Sequence, residues 1–420
     1  MIRQPGYVSR EHTVQVPLDH ARPDGPTIEV FAREVVAAHK AADGSAERLP
    51  WLLYLQGGPG GRSPRPADST GWLGVALETH RVLLLDQRGT GRSTPVTGHS
   101  VAGRTAAQIA DHLRHFRADA IVADAERLRA ALGVDRWDTL GQSYGGFLTL
   151  TYLSRAPEAL RTCYVTGGLP GITATAEEVY RRTFPRMAAR TAEFYRRYPD
   201  DEAALQRLAE HLDGTEVRLP DGDLLTTRRL RTVGGAFGMS DGFEKVHWLL
   251  EQAWAGAELS DRFRYDVMLE TGFVDGPLFA LQEYIYGQGA ATRWAAQREY
   301  ESRPEFAESA TPLLLTAEMM FPWMFREIRV LRPFADAAEI LAEVDDWPAL
   351  YDAEVLARNE VPLLAAVYHD DIYVDADLQL RTVAEVGAAR AWVTNEHEHD
   401  GINASEHVLR RLFDMAAGRC

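Results

Sequence analysis

Only two cysteines, Cys163 and Cys420, occur in 420 residues, too few for a disulfide framework. Cys163 sits in the apolar run LRTCYV and reads as a small buried hydrophobe rather than a catalytic thiol. Basic charge is also scarce. Lys and Arg number 45 against 61 Asp and Glu, a formal net charge of -16, which repels phosphate backbones and anionic membrane surfaces. Neither nucleic acid nor membrane is expected as a partner. No stretch approaches the roughly 18 apolar residues of a membrane span, and MIRQPGYVSREHTVQV at the N-terminus lacks the apolar core of a secretory signal. A cytoplasmic protein is the expectation. Paired-cysteine metal spacing and an HExxH helix are missing too, so neither a metal nor an organic cofactor is expected.

What is present is globular, with 45% hydrophobic and 25% charged residues, at a length that suits two domains or one large α/β domain carrying an insertion. HTVQVPLD and TIEVFAREVV alternate like strands of an antiparallel edge. WLLYL and RVLLL read as short strands covered on both faces, and RWDTLGQ as a further strand. Helical spacing in ADAIVADAERLRAALG and GGFLTLTYLSRAP separates such strands, which argues for a mostly parallel, doubly wound α/β sheet. From about Leu169 the texture turns helical, arginine-rich and aromatic, and sheet texture returns at EVPLLAAVY and ARAWVTN. The expected organisation is an α/β domain in two parts, residues 1–168 and 360–420, interrupted by a mainly helical insertion, 169–359. TPLLLTAE also resembles a covered strand but is kept with the insertion.

Two pentapeptides match G-x-S-x-G: GQSYG around Ser143 and GMSDG around Ser240. A poor strand precedes Ser240, and Asp241 with Glu244 forms a capping-box pattern, so Ser240 reads as a helix-start residue. At Ser143 a strand enters and a helix leaves with almost no loop, the setting of a nucleophile elbow. Such a turn leaves no room for side chains two residues away, where Gly141 and Gly145 stand. The Tyr144 N–H, at the helix start, can then stabilise an oxyanion. A second donor is expected from the glycine-rich strand exit QGGPG, Gln56 to Gly60. DQRGTGRS lacks the lysine of a phosphate-binding loop and reads as a structural turn, with Asp86 and Arg88 bonded to loop backbone.

A serine nucleophile needs a base, and the base an anion to hold its tautomer. In this sheet order the acid and then the histidine should follow the serine, each at a strand exit. HDDIYVD and NEHEHDG are such exits. Asp371 is preferred as the acid over Glu318, which another strand would separate from the histidines. His399 is preferred over His397 because an HDG turn follows it. The NEHEHD cluster also admits a metal-site reading, which no recognised ligand spacing supports.

Taken together, QGGPG, DQRGTGRS, GQSYGG, DDIYVD and EHEHDGI resemble the prolyl iminopeptidase family of α/β-hydrolase serine peptidases. Gln56 departs from that family's usual histidine, and Tyr368 from the glycine that commonly precedes the acid. The resemblance implies an α/β-hydrolase fold with an inserted helical cap, a Ser143, Asp371 and His399 triad, and oxyanion donors near Gly58 and at Tyr144. It implies no cofactor, and short peptides with a free N-terminus as substrates. The cap of such an exopeptidase supplies carboxylates for the substrate's amino cation, since an unpaired buried charge is costly. Glu283 in ALQEYIYGQG and Glu318 in TAEMMFPWMF are the candidates. The expected function is a serine aminopeptidase releasing an N-terminal residue, preferably proline. The alternatives are a broader aminopeptidase or esterase, and a non-catalytic binding protein on the same fold.

Overall fold

A computed structural model describes residues 2–274 and 276–420. One nine-stranded sheet organises it: β1 (Ile2–Gln4), β2 (Tyr7–Pro17), β3 (Thr27–Ala37), β4 (Trp51–Leu55), β5 (Arg81–Leu85), β6 (Trp137–Gln142), β7 (Leu160–Thr166), β10 (Leu363–Tyr368) and β11 (Ala389–Thr394). The two strands numbered between them, β8 (Trp254–Ala255) and β9 (Glu258–Leu259), make a separate short ribbon. The spatial order is β1-β2-β3-β5-β4-β6-β7-β10-β11. From β5 through β11 neighbours run parallel, while β1, β2 and β3 add an antiparallel edge.

The unbroken apolar runs follow from burial on both faces. Leu53 and Leu55 of β4 and Leu83 and Leu85 of β5 join the cluster that includes Ile121, Ala125 and Leu128 of the Ala118–Ala131 helix. Their neighbours Leu52, Tyr54, Val82 and Leu84 face the other way, onto Leu73 of the Gly71–Leu77 helix and Leu409 and Leu412 of the Glu406–Ala416 helix. Alternation along each strand thus serves two apolar layers instead of one.

The order reverses at β4, which has β5 on one side and β6 on the other. A crevice opens beyond the carboxyl ends of strands at such a switch point. QGGPG leaves β4 there and Ser143 leaves β6 beside it, with Leu55 opposite Gly141 in register.

Between β7 and β10 the chain is mainly helical, the largest pieces being Ala176–Arg197, Pro199–Gly214, Gly242–Glu251 and Asp261–Thr271. The strand-like TPLLLTAE joins no sheet, and TEVRLPDGDLLT contributes only the bridge between Arg218 and Leu224. Leu313 and Leu315 are buried as helical packing partners, which explains an apolar run without strand pairing. The capping box read at Asp241 and Glu244 is not made. Asp241 makes no side-chain cap and pairs with Lys245, while Glu244 is drawn to Arg197.

Candidate active site

Ser143 is the N-cap of the Tyr144–Arg155 helix, at φ 55° and ψ -123°. A non-glycine residue held at positive φ stores strain, and strain of this kind marks functional turns. The surroundings impose it. A Cβ on Gly145 would collide with the Leu55 carbonyl, and one on Gly141 with the backbone of Gly145. The helix behind the turn is buried from Tyr144 to Leu153, and the hydroxyls of Thr149 and Thr151 bond back to the carbonyls of Gly145 and Phe147. The elbow is therefore backed by a rigid element.

The β4 exit passes directly over the serine, since a Cβ on Gly57 would stand 3.0 Å from the Ser143 Cβ. Gly58 has φ 127°, and Gly58, Pro59 and Gly60 line a cleft of about 420 Å³ together with Ser143 and His399. The Tyr144 N–H opens its helix and is one of the donors without an intrahelical acceptor. Sequence reasoning missed other cleft residues: Gln142, Met239, Phe273 and Phe279. Gln142 had a signal in its position before the serine. Its Oε1 accepts from Tyr54 Oη and Gln56 Nε2, both at 3.5 Å.

Asp371 and His399 come together across β10 and β11. His399 Nδ1 lies 2.7 Å from Asp371 Oδ2, while Asp371 Oδ1 accepts from the N–H groups of Tyr373 (2.8 Å) and Val374 (3.0 Å). The carboxylate has no proton to give, so Nδ1 carries the hydrogen and Nε2 is left as the acceptor. Burial pulls the imidazole pKa down, but Asp371, with Glu318 and Asp400, outweighs it and leaves the value raised. Gly167 makes room for the ring, because a Cβ there would stand 3.2 Å from His399 Nδ1. No hydrogen bond joins Ser143 Oγ to His399 among the described residues; such bonds often tighten only when substrate binds.

The competing groups at these exits have other work. Asp375 caps the Ala376–Glu385 helix and pairs with Arg186, and His369 is an exposed partner of Asp370. His397 lies against Tyr368 and Trp392. Asp86 gathers the N–H groups of Ser63 and Arg92 and the Arg65 guanidinium, and Arg88 pairs with Asp124 while donating to the Leu18 and His115 carbonyls. Among the described residues no group of three or more His, Cys, Asp or Glu is arranged to hold a metal.

The two carboxylates read from the insertion part company. Glu318 lines the cleft with Ser143 and His399, and none of the described residues donates to its carboxylate. Burial raises its pKa to about 7; Asp371 pushes in the same direction and His399 opposes. Glu283 does not line the cleft. Its two oxygens accept the N–H groups of Ala295 and Ala296, both at 2.9 Å, at the start of the Ala295–Glu301 helix. Burial also lifts its pKa to about 7, against the pull of those amides. Both of its oxygens thus have backbone donors: an apolar neighbourhood marks a buried carboxylate without saying whether it faces ligand or backbone.

Residues 50–272 match a family model described as alpha/beta hydrolase fold. The chain is 46% identical to a proline iminopeptidase of Aeromonas sobria over 98% of its length and 97% of that protein's. It is 33% identical to the proline iminopeptidase aneH of Aspergillus aculeatus, covering 97% of this chain and 94% of that one. A solved proline iminopeptidase of Mycobacterium smegmatis is similar at 15% identity and a TM-score of 0.44, over 97% of this chain and 100% of that one.

Proposed function

Given that this chain belongs to the proline iminopeptidase family of α/β-hydrolase serine peptidases, we propose that it releases N-terminal proline from short peptides through an acyl-enzyme on Ser143. His399 Nε2 takes the serine proton as Oγ attacks the first peptide carbonyl. Asp371 holds the Nδ1 hydrogen and stabilises the imidazolium that forms. The N–H groups of Tyr144 and Gly58 receive the developing oxyanion, where preorganised donors contribute most. His399 then protonates the leaving amine, and water attacks the acyl-enzyme with the same histidine as base.

The observation that carries the exopeptidase reading is Glu318, a carboxylate without a described partner in the cleft that holds Ser143 and His399. A substrate's ammonium group supplies the missing counter-charge, and neutralising a half-buried carboxylate is worth more there than in water. Residues 169–359 act in this reading as the cap that brings Glu318 over the serine. A reducing, cytoplasmic setting suits the exposed free thiol of Cys420.

Proline, alanine and N-blocked proline arylamides test the reading. Proline arylamide should be cleaved fastest and the blocked compound not at all. Equal cleavage of the blocked compound would point to an esterase-like enzyme without amine recognition. Failure of a serine-directed organophosphate to label Ser143 would favour a binding protein.

A further inference from the structure

The loop bearing His399 is gripped from the helical insertion as well as from Asp371. The His399 N–H donates to the Gly238 carbonyl at 3.0 Å. The next residue, Asp400, accepts through Oδ1 from both the N–H (3.0 Å) and the Oγ (2.6 Å) of Ser240. The preceding residue, Glu398, is paired with Arg190 of the Ala176–Arg197 helix, and Arg190 also donates to the Phe237 carbonyl. Three consecutive residues of the histidine loop are thus held from the insertion, His399 and Asp400 by the segment that contains the second G-x-S-x-G match and Glu398 by Arg190.

A fourth contact reaches the ring itself. Tyr373 stands edge-on to the His399 imidazole, with centroids 4.8 Å apart and an interplanar angle of 89°. Its hydroxyl donates to the Gly235 carbonyl, and its ring lies so close to Gly238 that a Cβ there would collide with it. The segment is anchored in turn by Phe237, fully buried against Phe194 and Phe243. Among the described residues Ser240 Oγ caps no helix and its one acceptor is Asp400.

We propose that Ser240 and Asp400 are positioning residues for the reaction, pinning the histidine loop to the insertion so that the base is in register with Ser143 only while the insertion is docked. This rests on reading His399 as the general base. It gives the apparent decoy serine a role that is neither nucleophilic nor helix-capping. The base is held on opposite sides by the sheet and by the insertion, and loosening either support lengthens the proton transfer from Ser143.

The test compares wild type with Ser240→Ala, Asp400→Ala and Ser240→Thr. Ser240→Ala removes one donor and keeps the backbone N–H, whereas Ser240→Thr retains the hydroxyl. Each is measured for kcat and KM on proline arylamide per titrated active site, for the rate of organophosphate labelling at Ser143, and for melting temperature. Ser240→Ala and Asp400→Ala should lower kcat by about 3- to 10-fold, the scale of the net worth of one ordinary hydrogen bond. KM should hold. The labelling rate should fall in parallel, because labelling needs the same base but no amine recognition, and Ser240→Thr should restore both rates. Unchanged kcat and labelling per active site in both alanine variants would overturn the proposal, as would a change in KM alone or a loss explained by the folded fraction. If wild type is not labelled at Ser143, the triad reading itself falls and this proposal falls with it.

Discussion

At the scale of single residues, the roles proposed for Ser143 and Glu318 rest on positions that cost energy to hold. Ser143 holds a backbone conformation that few side chains tolerate, and the Glu318 carboxyl has no described donor, so burial raises its pKa to about 7. Ser143→Ala should lower turnover by about 10⁴- to 10⁶-fold, the cost of losing a nucleophile whose partners cannot act without it, as measured by steady-state hydrolysis of proline arylamide. For Glu318 the effect depends on pH. Its folded-state pKa is raised from 4.5 to about 7, so the folded protein binds more protons than the unfolded chain across that window and stability declines as pH rises through it. Glu318→Gln should therefore raise the melting temperature at pH 8 and leave it nearly unchanged at pH 4, while weakening substrate binding at pH 8. A melting temperature at pH 8 equal to or below wild type would contradict this. In the wild type, kcat/KM should climb with pH to about 7 and beyond, as Glu318 ionises and His399, its own pKa raised, loses its proton.

Elements explain what could be read from sequence and what could not. β4, β5 and β10 were legible because strands covered on both faces leave continuous apolar runs, and the glycines around Ser143 and after β4 and β5 mark where backbone meets backbone. Ser143 could be separated from Ser240 on that basis. The packing of the insertion was not legible, because contacts such as Phe237 against Phe194 and Phe243 join segments far apart in the chain and follow no local period. The partners of Glu283 were not legible for the same reason: the backbone amides it caps lie on another element. The crossing of β4 with the elbow helix makes its own prediction. Gly145→Ala, although alanine is the better helix former, should destabilise the fold by at least about 1–3 kcal/mol through forced overpacking, since its methyl meets the Leu55 carbonyl. Urea denaturation measures it, and a neutral or stabilised variant would refute the tight crossing.

For the molecule as a whole, the sheet and insertion share one cleft, and chemistry that needs only a serine, a histidine and two carboxylates should run without a metal. Exhaustive dialysis against a chelator is expected to leave proline arylamide hydrolysis intact; activity lost on dialysis and recovered with zinc would contradict the mechanism. No helix among the described residues is long and apolar enough to cross a membrane.

The order of parts along the chain has one more consequence. β6 and its serine belong to the first half, whereas β10 and β11, which deliver Asp371 and His399, come only after the whole insertion. In the proposed mechanism a chain cut anywhere before β10 would keep the nucleophile and lack both the base and the anion that orients it, so no fragment ending inside the insertion should cleave peptides.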